Sequence, residues 1–573
     1  MNPSAPGPEA APASAGLGDL EASVQRRLDR WERQGFPQRI WDRDPGAWPA
    51  AAPLSVASRL GWLDLPVAME RRVPEILEEA AKVKEAGFKQ VALLGMGGSS
   101  RAAMVLARTY PRGRGWPKLL FLDTLHPTAI RSLLKAADLR KTFFLASSKS
   151  GTTLEPRSLL AFFFAEVAKS NPRPGDQFGV ITDGHSPLEA WAVERAFRVR
   201  FAPRSDVGGR YSALSEFGLV PAAFAGLPIR RLLDRARTMA ERCDETVPAT
   251  ANPAMRLAAE LGELALAGRD KATFLPSPSL TSLPMWIEQL VAESLGKNGR
   301  GIVPVVDEVD PLDARGASDR YLVSVTLRGE EDERLDTALA DAERGGIPAI
   351  ALDLRDRHDL GAEFFRWELA VASVGTILEV DPFDQPDVEL AKSLAREASN
   401  AAGTSPPPGA SAPSAALEPS PTPPDRFRTW LSQSRPADFV AVLAYLAESP
   451  DTLTALRELR SRLRSTLGLS TVVGIGPGYL HSTGQLFKGG PPNGLFLLLT
   501  DRTRDDLAPP DQSRSFHQLL LGQAEGDRQA LLQKARWVEW IDLGPEPVGA
   551  LRAVASWIDP VRGAAPPSRG GGP

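Results

Sequence analysis

Short unbroken runs of apolar residues alternate along this chain with longer stretches in which apolar positions recur every third or fourth residue. Val91-Ala92-Leu93-Leu94 and Phe143-Phe144-Leu145-Ala146 are clear examples of the first kind. Such runs read as strands buried on both faces, and the longer period reads as helix. The pattern predicts strands at 90–95, 118–123, 142–147, 177–183 and 197–202, preceded by an amphipathic helix over 70–85. After Gly208 the rhythm restarts, with helices at 252–267, 281–295, 331–344 and 360–378 and strands at 271–276, 301–306, 320–327 and 347–354. A last block carries strands at 438–446, 470–475, 494–500 and 537–543. Alternation of this kind predicts an α/β protein with parallel sheets covered by helices on both faces.

Tracts rich in Ala, Pro, Gly and Ser punctuate the pattern. They predict a disordered start (1–18), a linker (400–424) and a disordered tail (563–573). Between them fall a first domain with an N-terminal helical extension (19–235), a second domain (236–399) and a C-terminal α/β domain (425–562). A chain of 573 residues exceeds one ordinary core, which agrees with that division.

Composition removes several classes of function. The net charge of −4 and the lack of a basic tract argue against nucleic acid or a membrane surface as partner. Cys243 is the only cysteine, so an intrachain disulfide and a multi-cysteine metal site are excluded; it reads as a small helix side chain. The five histidines have no metal-ligand spacing. No apolar run reaches membrane-span length, and no charged start followed by an apolar stretch opens the chain, so the cytoplasm is the expected compartment.

Two turns that follow predicted strands concentrate hydroxyls: Gly95-Met96-Gly97-Gly98-Ser99-Ser100 and Ser147-Ser148-Lys149-Ser150-Gly151-Thr152-Thr153. Each opens a helix-like pattern. Small residues let backbone approach an anion, hydroxyls donate to its oxygens, and the free N–H groups of a helix start face it. Both turns sit at strand carboxyl ends, where open α/β sheets bind ligands. A sugar phosphate fits this chemistry, with Gly98, Ser99, Ser148, Lys149, Ser150 and Thr153 as its candidate contacts. A dinucleotide does not, because Ser100 stands where that fingerprint needs its third glycine.

Five segments resemble the phosphoglucose isomerase family. Gly95 to Ser99 is similar to its first signature, and Ser148 to Glu155 to its sugar-phosphate loop. Gly208-Gly209-Arg210-Tyr211-Ser212 looks like its arginine motif. Glu293-Ser294-Leu295-Gly296-Lys297, with Gln289 four residues upstream, resembles the segment of its catalytic glutamate, and Phe383 to Lys392 that of its late lysine. The opening (41–44 and 59–63) and the final block resemble the isomerase half of bifunctional transaldolase/phosphoglucose isomerase proteins; a transaldolase half is not expected, since nothing of that size precedes residue 20.

The resemblance implies two sugar-isomerase-type (SIS) domains of αβα layers plus the smaller C-terminal domain. It implies a glycolytic and gluconeogenic aldose–ketose isomerase that interconverts glucose 6-phosphate and fructose 6-phosphate by ring opening and proton transfer through a cis-enediol(ate), with no metal and no other cofactor. It leaves open a homodimer, or a monomer whose C-terminal domain completes the site. Other readings are a non-catalytic phosphosugar-binding or regulatory protein, and an isomerase that also takes mannose 6-phosphate. Glu293, Gln289, Arg210 and Lys392 together favour the enzyme, since a sensor needs no base.

Glu293 is the expected base. It shares a helix face with Gln289 at a spacing of four, among the apolar Leu290, Val291 and Ala292. Arg210, always ionised, is the candidate for steadying enediolate charge. Gln385 and Lys392 lie seven apart, close to two helical turns; the resemblance implies that Lys392 contacts sugar oxygens near ring opening. The chain departs from the family at the ring-opening histidine. The family places one soon after the glutamate, whereas here only His358 falls before Lys392, late and among charges. His481, in Leu480-His481-Ser482-Thr483-Gly484-Gln485, is therefore the expected ring-opening residue, reaching the sugar from the last domain of its own chain or of a partner.

Overall fold

The computed structural model describes residues 17–308, 318–390, 393–394, 424–510 and 512–558. Lys392 and most of the Ala/Pro/Gly/Ser tracts lie outside the described residues.

Thirteen strands form three sheets among the described residues. The first contains β1 (Gln90–Gly95), β2 (Lys118–Leu122), β3 (Thr142–Ser147), β4 (Phe178–Ile181) and β5 (Val199–Phe201), in the order β2-β1-β3-β4-β5. The second contains β6 (Lys271–Pro276), β7 (Val303–Val305), β8 (Arg320–Leu327) and β9 (Ala349–Leu354), in the order β7-β6-β8-β9. The third contains β10 (Phe439–Tyr445), β11 (Ser470–Ile475), β12 (Gly494–Thr500) and β13 (Trp537–Asp542), in the order β11-β10-β12-β13. Every pairing is parallel. The fold is thus α/β, and the strands fall where the apolar runs place them. The run at 301–306 shortens to β7, an edge strand that tolerates Pro304 because its outer side needs no N–H donor.

All three sheets begin alike: the second strand joins one side of the first, and the third strand joins the other. That reversal leaves a crevice at the strand carboxyl ends of each sheet.

The helix Leu360–Leu378 is apolar on nearly every face and almost wholly buried, as expected of a helix at the centre of a large core. The N-terminal segment wraps it: Trp48 donates through Nε1 to the carbonyl of Ala372 at 2.8 Å, and Trp41 stacks on Phe365. Helix Ile229–Arg242, which contains residue 235, packs on the same helix. Cys243 follows its last residue and is fully buried; burial pushes the thiol up to about 12, so it stays protonated and inert.

The third sheet is fastened to the other two. Phe162 of helix Leu154–Ala168 meets Phe516 of helix Phe516–Gln533 edge to face, inside one continuous apolar cluster shared by the first and third sheets. His126 and Asp501 pair across the same junction at 3.0 Å. Arg460 donates to the Val306 carbonyl of the second sheet at 2.8 Å. Among the described residues no helix is long and apolar enough to cross a membrane.

Candidate functional site

The carboxyl ends of β1 and β3 open on a cleft of about 1450 Å³, lined by residues from the first sheet, from helix Leu283–Leu295, from the 383–389 segment and from the third domain. That exceeds the ~300–1,000 Å³ usual for small-molecule sites. Gly97 and Gly98 sit where the walls converge. Gly97 has a φ of 53°, and a Cβ there would lie 2.6 Å from the His481 carbonyl oxygen. A Cβ on Gly98 would lie 2.1 Å from the Gly209 carbonyl oxygen. Glycine at both places is thus a requirement of the protein's own loops, which cross here backbone to backbone.

The second hydroxyl-rich turn runs from β3 into helix Leu154–Ala168, and its residues from Lys149 to Leu154 line the cleft except Gly151. Thr153 occupies the N-cap position, yet its side chain makes no cap bond. The Ser148 hydroxyl donates to the Thr153 hydroxyl at 3.3 Å, and those of Ser150 and Thr152 pair at 2.8 Å. The turn therefore presents hydroxyls and a helix start to one space, as an anion requires. Ser99 lines the same space, and its carbonyl accepts from the Ser147 hydroxyl at 2.8 Å, tying the two turns together. Lys149 is placed differently from a free phosphate ligand. Its ammonium pairs with Asp183 at 2.7 Å and donates to the Ser205 carbonyl at 3.0 Å, so it braces the turn.

The opposite wall is helix Leu283–Leu295. Gln289 and Glu293 do share a face, and both are buried. Gln289 Nε2 donates to Glu293 Oε2 at 3.0 Å and to the His481 carbonyl at 2.8 Å. Its Oε1 is buried with no partner. Arg210 Nη1 lies 3.2 Å from Glu293 Oε1 and 3.4 Å from Gln385 Oε1. The remaining guanidinium N–H groups are spent on the Ser294 hydroxyl (2.8 Å) and the carbonyls of Pro382 (2.6 Å) and Asp384 (2.9 Å). Arg210 is thus both a charge beside the carboxylate and a strut between three chain segments.

His481 enters the same cleft from the loop after β11. Its Nε2 lies 3.0 Å from Oε1 of Glu155, the second residue of helix Leu154–Ala168. Glu155 is 1% exposed and also accepts from Gln523 Nε2 at 2.6 Å. Burial alone would raise the Glu155 carboxyl, but the His481 ring beside it, with the hydrogen bonds from His481 and Gln523, holds it below the usual carboxylate range. His358 is elsewhere, with Nδ1 3.0 Å from the Tyr110 hydroxyl, and is not among the cleft residues.

Glu155 and Gln523 are site residues that the sequence reading did not single out. Glu155 stood inside a recognised motif, but an acid in the first turn of a helix already has a reason to be there in the helix dipole.

The sequence profile of the family described as Phosphoglucose isomerase matches residues 79–305. A glucose-6-phosphate isomerase of Thermus thermophilus is 31% identical over 427 residues, covering 65% of this chain and 99% of the relative. That of Carboxydothermus hydrogenoformans is 30% identical over 391 residues, covering 58% and 83%. The crystal structure of a hypothetical protein from Thermus thermophilus superposes with a TM-score of 0.56 at 28% identity, covering 68% of this chain and 98% of that one.

Proposed function

The chain belongs to the phosphoglucose isomerase family, and from that premise we propose how its cleft works as an aldose–ketose isomerase on glucose 6-phosphate and fructose 6-phosphate. The helix start at Thr153 and Leu154, with the hydroxyls of Ser99, Ser148, Ser150 and Thr153, takes the phosphate. Lys149 keeps that turn in shape through Asp183. Gln385 lines the cleft beside Arg210 and contributes to substrate binding.

His481 opens the ring. Glu155 holds the imidazole by one nitrogen, which fixes its orientation and supports positive charge on it while the proton passes. Glu293 then removes the proton from C2 of the aldose and delivers it to C1 of the enediolate while the O2 hydroxyl proton passes to O1, which yields the ketose; the reverse reaction retraces these steps. Arg210, within 3.2 Å of that carboxylate, offsets the negative charge that grows on the enediolate oxygens. The unpartnered Oε1 of Gln289 accepts from a sugar hydroxyl, which ends its isolation. Lys392 remains the candidate for the sugar oxygens near ring opening. Apart from Ser148 and from Lys392, which lies outside the described residues, these groups line one cleft of a single chain, which supports a site that the chain's own C-terminal domain completes.

The observation that carries this reading is the buried Glu293, held by Gln289 and Arg210 in the wall that faces the hydroxyl-rich turn. Glu293→Gln keeps the shape and removes the base. Turnover of fructose 6-phosphate in a coupled assay should fall by about 10² to 10⁴, with the melting curve unchanged. Near-normal turnover of a folded Glu293→Gln protein would remove Glu293 from the mechanism.

A further inference from the structure

The stretch Asp381 to Asp387 forms part of the cleft wall and is tied down on two sides. On one side Arg210 grips the carbonyls of Pro382 and Asp384. On the other, Gln485 of the third domain donates to Gly296 O at 3.1 Å and to Asp387 Oδ2 at 2.7 Å, and accepts from the Asp387 N–H at 3.0 Å. Lys534 pairs with Asp387 at 2.6 Å. Between these ties stands Lys297, four residues beyond Glu293 and just past the end of its helix.

Lys297 is 3% exposed. Its ammonium donates to the Ser294 carbonyl at 3.1 Å and to the Asp381 carbonyl, and stands 2.9 Å from Asp384 Oδ1. It therefore joins the last turn of the helix that bears Glu293 to the residues on either side of Phe383, directly before Gln385. The charge is costly at this place. Burial, with the nearby Arg210, pulls the ammonium down to about 8, against the opposing pull of Asp384 and Asp381. An apolar side chain of similar volume would fill the space without that desolvation cost. Packing alone thus does not account for a lysine here; its three oxygen partners do.

We propose that Lys297 is a positioning residue for the isomerisation: it locks the Asp381–Gln385 stretch to the end of the base-bearing helix and so sets where Gln385 and Arg210 stand relative to Glu293. The inference rests on the site reading given above, in which Glu293 is the base and Gln385 touches substrate.

The test compares Lys297→Met, Lys297→Arg and Asp384→Asn on fructose 6-phosphate, with melting curves in parallel. Lys297→Met should raise KM about tenfold, the size of one lost charge-assisted bond, while kcat falls less. Lys297→Arg, which restores the charge, should recover most of the loss. Asp384→Asn should show the same KM defect, and adding it to Lys297→Met should bring no further loss. The charged groups facing the ammonium are Asp381 and Asp384 on the stretch and Arg210 from the loop after β5. With Lys297 ionising near 8, the wild-type KM should climb as pH rises through that value, and Lys297→Met should show no such limb. A wild-type KM in Lys297→Met, or a defect that Arg does not rescue and that adds to Asp384→Asn, overturns the proposal. Should Lys297→Met fail to fold, Asp384→Asn carries the same comparison, because that side chain is 44% exposed. An inactive Glu293→Gln beside an unaffected Lys297→Met would sink this inference alone; an active Glu293→Gln would sink the reading beneath it.

Discussion

The first and second sheets share a strand order through their first four strands, yet the hydroxyls at their strand carboxyl ends are spent differently. In the second sheet, the turn after β6 (Ser277-Pro278-Ser279) also carries hydroxyls. There the Ser277 hydroxyl accepts from the Leu327 N–H at 2.9 Å, and the Ser277 N–H donates to the Val325 carbonyl at 2.8 Å. The Ser279 N–H and hydroxyl both donate to Glu330, and Arg357 closes the turn from outside. In the first sheet the comparable hydroxyl-rich turn follows β3 instead; Ser150, Thr152 and Thr153 line the cleft, and their hydroxyls bond to one another or to that of the buried Ser148. Topology supplies a crevice in each sheet, and unspent donors decide which one can hold an anion.

The largest effect that sharpens this contrast lies at the seam with the third sheet. His481→Ala should cost about 10² to 10⁴ in turnover on the cyclic sugar phosphate, and far less on an analogue that cannot close its ring. Equal losses on both would take ring opening away from His481. Next comes the pair of crevices themselves. Ser148→Ala with Thr153→Ala should raise KM by about tenfold through two lost hydrogen bonds. Ser277→Ala should leave KM alone and cost about 1 kcal/mol in unfolding free energy. A KM defect in Ser277→Ala would mean that the second crevice also sees substrate.

The smallest effect concerns acid. Burial raises the Asp501 carboxyl, but the imidazoles of His126 and His517 bring it net below the usual range, and Glu155 is held low by His481 and Gln523. Both carboxylates bond across the junction of the first and third sheets. A depressed carboxyl contributes stability that is present above its unfolded pKa and fades as pH falls through the lower, folded value. Thermal stability should thus drop on acidification below the ordinary carboxylate range, and Asp501→Asn should lessen that dependence.

Much of this was legible in the chain because buried parallel strands advertise themselves as unbroken apolar runs. The motifs likewise marked Glu293, Gln289, Arg210 and His481, which do meet at one cleft. What could not be read locally is what distant residues do to a side chain. Lys149 has the look of a phosphate ligand until Asp183, 34 positions on, takes its charge. Glu155 and Gln523 are partners 368 positions apart, and no pattern near either one foretells the other. Gly98 was recognisable as a place of close approach, but the approaching group is Gly209, brought in by folding. The short helical turns between residues 36 and 71 carry too few residues each to show a period; Trp48 and Trp62, both buried, tie them to the central helix.

The carbonyl of His481 rests on Gln289, one turn before Glu293, so the imidazole arrives already registered to that helix. The tie joins the third domain to the helix of Glu293 within one chain, where the fold sets their effective concentration. Gln289, Glu293, Arg210 and His481 thus meet in one cleft of a single chain.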